Sequence, residues 1–109
     1  MQRKGGQTDY KFEAISVIVR DSRLTEAETR VAFSLINNAD PKTGVCTLPY
    51  TDLGRRLGLN RRAVARAMHG LEVAGYIQVT SRKSNGGASL PDRYRLDWSR
   101  LLSSFKDAA

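Results

Sequence analysis

The sequence predicts a mainly α-helical fold carrying one small β-hairpin. Three observations lead there. Residues 24–36, 51–57 and 60–74 set apolar side chains at helical spacing behind capping residues. Gly58 separates the last two segments, and only Leu59 and a good N-cap, Asn60, follow before the next helix opens. Two alternating segments, 76–80 and 93–96, flank a polar stretch centred on Gly86-Gly87.

Taken in order, residues 1–9 are polar, contain Gly5-Gly6, and read as a disordered tail. The stretch from Tyr10 to Val19 reads two ways. Phe12, Ile15 and Val19 fit a helical stripe, while Ile15, Val17 and Val19 fit strand alternation. Glu13 and Ala14 tip the reading towards a short helix. Thr25 and Glu28 form a capping-box pattern at the start of the next helix, and Pro41 disfavours helix at Asp40, ending it. Val45 to Leu48 is a short strand stopped by Pro49. Tyr50 or Thr51 caps the following helix, and Asp52 suits the positive end of its dipole. In the helix after Asn60, Val64, Ala67, Met68, Leu71 and Ala74 form one apolar stripe, closed by Gly75. Strands at 76–80 and 93–96 enclose a long loop, 81–92. Trp98, Leu101, Leu102 and Phe105 have the spacing of a terminal helix, expected to pack on the domain or on a dimer partner across 98–109.

The net charge of +7 is unevenly placed. Residues 1–40 hold six Lys/Arg against six Asp/Glu, and residues 97–109 hold two against two. Residues 41–96 hold ten against three, which is the whole excess. A basic surplus confined to one segment points to a polyanionic partner. A merely solubilising surface is the alternative, and it ordinarily mixes its signs. No apolar run is long enough to span a membrane, and the N-terminus lacks the apolar core of a secretory signal. The lone Cys46 forms no intrachain disulfide and suits a reducing, cytoplasmic setting. One His and one Cys do not make a four-ligand zinc site, no phosphate-binding glycine loop is present, and no carboxylate pair stands out. No catalytic residue, metal, cofactor or small-molecule ligand is expected.

The order of elements, and above all Leu53-Gly54-Arg55-Arg56-Leu57-Gly58-Leu59-Asn60-Arg61-Arg62-Ala63-Val64, Leu71-Glu72-Val73-Ala74-Gly75-Tyr76-Ile77 and Arg93-Tyr94-Arg95-Leu96, resembles the winged helix-turn-helix family. The resemblance covers roughly residues 24–97. It implies a domain over 10–97 with a three-helix core, a wing and an extra terminal helix. Residues 39–44 and 46–48 are similar to the version found in plasmid and phage replication initiators and small bacterial regulators.

That fold implies a recognition helix with an apolar inner face and a polar outer one. Arg62, Ala65, Arg66 and His69 lie at i, i+3, i+4 and i+7, off the apolar stripe, and are the expected base contacts. Arginine chelates guanine O6 and N7, and alanine lets the helix sit deep against a thymine methyl. Tyr50, Thr51, Asn60 and Arg61 stand near helix N-termini, where phosphates bind, and Arg55 and Arg56 add backbone contacts. Arg82, Lys83, Asn85 and Arg93 belong to the wing. A single exposed arginine is ordinarily just solvated, but five within residues 55–66 argue for a shared role. His69 reads a base or is a bystander. Gly54 and Gly70 cost helix propensity for a close approach or for no reason at all. Cys46, Tyr76 and Trp98 read as packed residues. The expected function is sequence-specific binding of double-stranded DNA by a regulator or accessory factor of a bacterial mobile element. The competing readings are the origin-binding domain of a replication initiator and a protein-interaction winged helix that never touches DNA. Pairing into a homodimer is left open, with 10–19 and 98–105 as the candidate surfaces.

Overall fold

A computed structural model describes residues 5–46, 48–85 and 88–102, with side chains placed over 10–46, 48–79 and 94–102. The elements run α1 (Gly5–Arg20), α2 (Glu26–Asn38), β1 (Val45–Cys46), α3 (Tyr50–Leu57), α4 (Arg61–Val73), β2 (Ile77–Asn85), β3 (Ala88–Leu96) and α5 (Trp98–Leu101). The fold is therefore mainly helical, with a small antiparallel sheet in the order β1-β3-β2. No helix among the described residues is long and apolar enough to cross a membrane.

α2 opens on a complete capping box. Thr25 Oγ1 accepts from the Glu28 amide at 3.1 Å, and the Thr25 amide donates to Glu28 Oε1 at 2.9 Å. Its inner face buries Val31, Ala32, Leu35 and Ile36 against α1 and α4. α4 answers with Val64, Ala67, Met68 and Leu71, and α1 with Ala14 and Ile18. Leu53 of α3, Ile77, Tyr94 and Leu96 of the sheet, and Leu101 of α5 close the core. Complete burial of a Leu or Ile side chain contributes about 1.5–3 kcal/mol, so this cluster holds the fold together.

Several boundaries differ from the sequence reading. The helix that was expected to be short opens at Gly5, so residues 5–9 are helical backbone and not part of a disordered tail; residues 1–4 lie outside the described part. The N-cap of α3 is Pro49, with no side-chain cap, and Tyr50 and Thr51 are its first two helical residues. Proline's fixed φ suits that position, and its carbonyl accepts from the Leu53 amide at 3.0 Å. The hairpin is longer than expected. β2 and β3 pair from Ile77↔Leu96 out to Asn85↔Ala88, so most of the presumed loop 81–92 is strand. Composition hid this because pairing beyond the core needs no apolar alternation. Register shifts on either side of Ser81 interrupt the regular ladder between the base of the hairpin and its outer half. Pro91 is tolerated in β3 because β1 reaches only Tyr94 and Arg95, leaving the far edge unpaired there. Finally, α5 spans only Trp98–Leu101, with Asp97 as its N-cap, and Phe105 lies outside the described residues. This short helix packs on the domain itself: Leu101 is buried and Trp98 meets the Tyr10 ring edge-on at 5.2 Å.

The strand begun at Val45 is two residues long, and Cys46 points into the core beneath Tyr94. Burial pushes the Cys46 thiol up to about 12. The reactive species is the thiolate. Native protein is therefore expected to resist iodoacetamide at pH 8, while urea-unfolded protein reacts at the rate of a free thiol; mass spectrometry of timed aliquots checks this.

A polar knot ties the α1–α2 turn to the base of the hairpin. Asp21 accepts from the Arg23 guanidinium at 2.7 Å and from the Tyr76 hydroxyl at 2.6 Å. The Arg100 guanidinium lies over the Tyr76 ring, 5.3 Å from its centre. The hydrogen bonds from Arg23, then Tyr76, hold the Asp21 carboxyl well below the usual carboxylate range. A lowered folded-state pKa stabilises above the unfolded value, about 3.9, and that stabilisation is lost as pH falls further. Thermal melts between about pH 5 and pH 3 should show a smaller loss of Tm for Asp21→Asn than for the native chain. Equal losses would mean that Asp21 contributes nothing to acid lability.

Candidate nucleic-acid interface

The candidate site is the outer side of α3 and α4. Its geometry starts at Gly58, whose φ of 69° lies in the left-handed region open to glycine. The chain reverses there, and the Leu59 amide donates back to the Gly54 carbonyl at 2.9 Å. Gly54 is buried, and a Cβ there would stand 2.5 Å from the Leu59 carbonyl oxygen. Of the two explanations left open for Gly54, close approach is the one the packing supplies. At Gly70 the obstacle is softer: a Cβ there would fall on the Glu28 carboxylate of the capping box, the far end of a flexible side chain.

α4 then starts on Asn60, whose side-chain oxygen accepts from the Ala63 amide at 2.8 Å. The apolar stripe turns inward, with Val64, Met68 and Leu71 fully buried. That fixes the rotation of the helix. It leaves Asn60, Arg61, Arg62, Arg66 and His69 exposed, with Ala65 half-buried between the arginines. Arg62, Ala65, Arg66 and His69 thus share one outward face. On α3, Thr51, Arg55 and Arg56 are exposed. Arg55 meets Asp52 at 3.5 Å, an exposed i,i+3 pair. Such a pair is worth a few tenths of a kcal/mol, too little to hold Arg55 from a stronger anion. Arg56, Arg61, Arg62 and Arg66 have no ion pair among the described residues.

Tyr50 does not belong to that face. Its ring packs edge-on against Tyr94, with centroids 6.4 Å apart, and its hydroxyl is buried. Placement in the first turn suggested an outward side chain. The apolar wall formed by Leu48, Tyr94 and the core drew it in. The backbone at Arg82, Lys83, Asn85 and Arg93 is in the hairpin, with Arg82 opposite Pro91 and Lys83 opposite Leu90; their side chains lie outside the described residues.

One residue the sequence did not flag supports the site. The Arg30 guanidinium donates to the Leu57 carbonyl at 2.7 Å, capping the C-terminal end of α3 from α2. Twenty-seven residues separate the two, so no local pattern announces the contact. A cation there also complements the negative end of the helix dipole. Arg95 is spent elsewhere, donating to Gln78 Oε1 at 3.0 and 3.1 Å across the outer face of the sheet.

The arrangement presents guanidinium groups from one face of α4 and from the C-terminal half of α3. It is suited to binding an extended anion. No protein-family model matches the chain, and neither does any curated protein or solved structure.

Proposed function

We propose that the chain is a winged helix-turn-helix protein that binds double-stranded DNA in a sequence-specific manner, as a regulator or accessory factor of a bacterial mobile element. The observation that carries this reading is the outward face of α4. Arg62, Arg66 and His69 are exposed around a half-buried Ala65, while the opposite face of the same helix is fully buried. A helix held this way, with small and cationic residues outermost, matches what a major groove admits.

In this reading α4 lies in the major groove. Arg62 and Arg66 donate to guanine O6 and N7, Ala65 contacts a thymine methyl, and His69 reaches a further base edge. The N-terminus of α4, with Asn60 and Arg61, meets phosphate through its free amides and the positive end of its dipole. Thr51, Arg55 and Arg56 hold the backbone from α3. The hairpin, through Arg82, Lys83, Asn85 and Arg93, follows phosphates or the adjacent minor groove. Tyr50 has no part, because its hydroxyl is buried. The resemblance of residues 39–44 and 46–48 to the version in replication initiators and small regulators makes an origin the alternative target within the same fold.

A fluorescence anisotropy titration against a random duplex at low salt tests the reading. Binding that saturates supports it. Absence of binding would return the basic face to a solubilising role and favour a protein-interaction module.

A further inference from the structure

The helix α1 carries a surface that the DNA reading does not use. Phe12 is 65% exposed and Val19 61%, although the other face of the same helix buries Ala14 and Ile18 completely. Seven residues separate them, so they stand on one line along the helix, about 10 Å apart. Ser16, a small residue, sits midway between them on the outward side, and Ile15 is half-buried beside it. A second line runs parallel to the first, also seven residues long, with Glu13 at one end and the exposed Arg20 at the other.

We propose that this face of α1 pairs with the same face of a second copy, the two helices antiparallel about a two-fold axis at Ser16. That single arrangement satisfies both lines. Phe12 of each copy meets Val19 of the other, and Glu13 of each meets Arg20 of the other. The isologous symmetry makes each contact occur twice. Glu13 keeps its partner within the chain, and the cross-axis cation adds to it.

The charge distribution selects a second copy as the occupant. α1 holds two acids and two bases, so it is neutral, in a chain whose excess of seven positive charges lies entirely within residues 41–96. Two such chains repel wherever α3, α4 or the hairpin approach each other. They approach through α1 without that cost, and the basic faces stay open. The remaining large apolar side chains exposed among the described residues, Val45 and Val73, each stand alone on a different element and form no such line. α5, the other terminal surface, is already packed on the domain through Leu101.

Sedimentation velocity on the whole chain without DNA tests this, so its outcome does not depend on DNA binding. The native chain is expected to dimerise at concentrations of about 100 µM. Phe12→Glu should weaken the dimer about 30-fold or more, with an unchanged circular dichroism melt because the side chain is exposed. Glu13→Arg and Arg20→Glu should each weaken it, and the double reversal should restore it. A monomeric native chain overturns the proposal and assigns the face to a different occupant. A dimer that survives Phe12→Glu, or a double reversal that stays as weak as the single ones, overturns the pairing.

Discussion

Raising monovalent salt from about 50 to about 200 mM is expected to weaken binding of this chain to duplex DNA roughly a thousandfold. The expectation follows from the groups on the outer face of α3 and α4. Arg55, Arg56, Arg61, Arg62 and Arg66 are exposed there, and four of them have no ion pair among the described residues. With the hairpin, neutralising about six phosphates is reasonable. Counterion release then sets a slope of about −5 in log K against log salt. Arg66→Ala separates the two roles of an arginine. As a base contact, its loss costs about 1–3 kcal/mol on the preferred site and relaxes the choice of base opposite it. As a phosphate contact, its loss weakens every sequence alike and lowers the slope by about one. A slope near zero in the native chain would remove the electrostatic basis of the proposal.

Gly54→Ala is expected to destabilise the protein by about 1–3 kcal/mol and to weaken DNA binding on top of that. Two effects oppose each other. Alanine improves helix propensity over glycine by up to about 1 kcal/mol. Against this, the new methyl would stand 2.5 Å from the Leu59 carbonyl oxygen, a backbone atom that no rotamer change moves aside. The α3–turn–α4 unit must open to admit it, lengthening the bond from the Leu59 amide to the Gly54 carbonyl. Steric cost therefore wins, and the angle between α3 and α4 shifts with it. Chemical denaturation measures the first effect and anisotropy the second. A variant more stable than the native chain would show that the turn has slack.

These two residues mark what a linear reading reaches. The capping box of Thr25 and Glu28, the left-handed Gly58 and the Asn60 cap are each short-range, with donor, acceptor and backbone preference within four residues. Each was legible for that reason, and each occurs as expected. The split of α4 into a buried stripe and an exposed basic face was legible as well, because helical periodicity alone sorts Val64, Met68 and Leu71 from Arg62, Arg66 and His69. The direction of Tyr50 was not. A first-turn position is compatible with either side, and only Tyr94, 44 positions along the chain, draws the ring inward.

The sequence by itself thus determined the helical order, the caps of α2 and α4, the turn and the segregation of charge, since all of these rest on neighbours along the chain or on counting. The tertiary structure decided the rest. It alone established that Gly54 is required by a carbonyl brought back over it, that Arg30 caps a helix it does not belong to, and that the hairpin continues far past its apolar base. It also left Phe12 and Val19 of α1 uncovered. Those outcomes depend on which surfaces meet once the core has closed, and contacts between residues tens of positions apart leave no periodicity in the sequence to read.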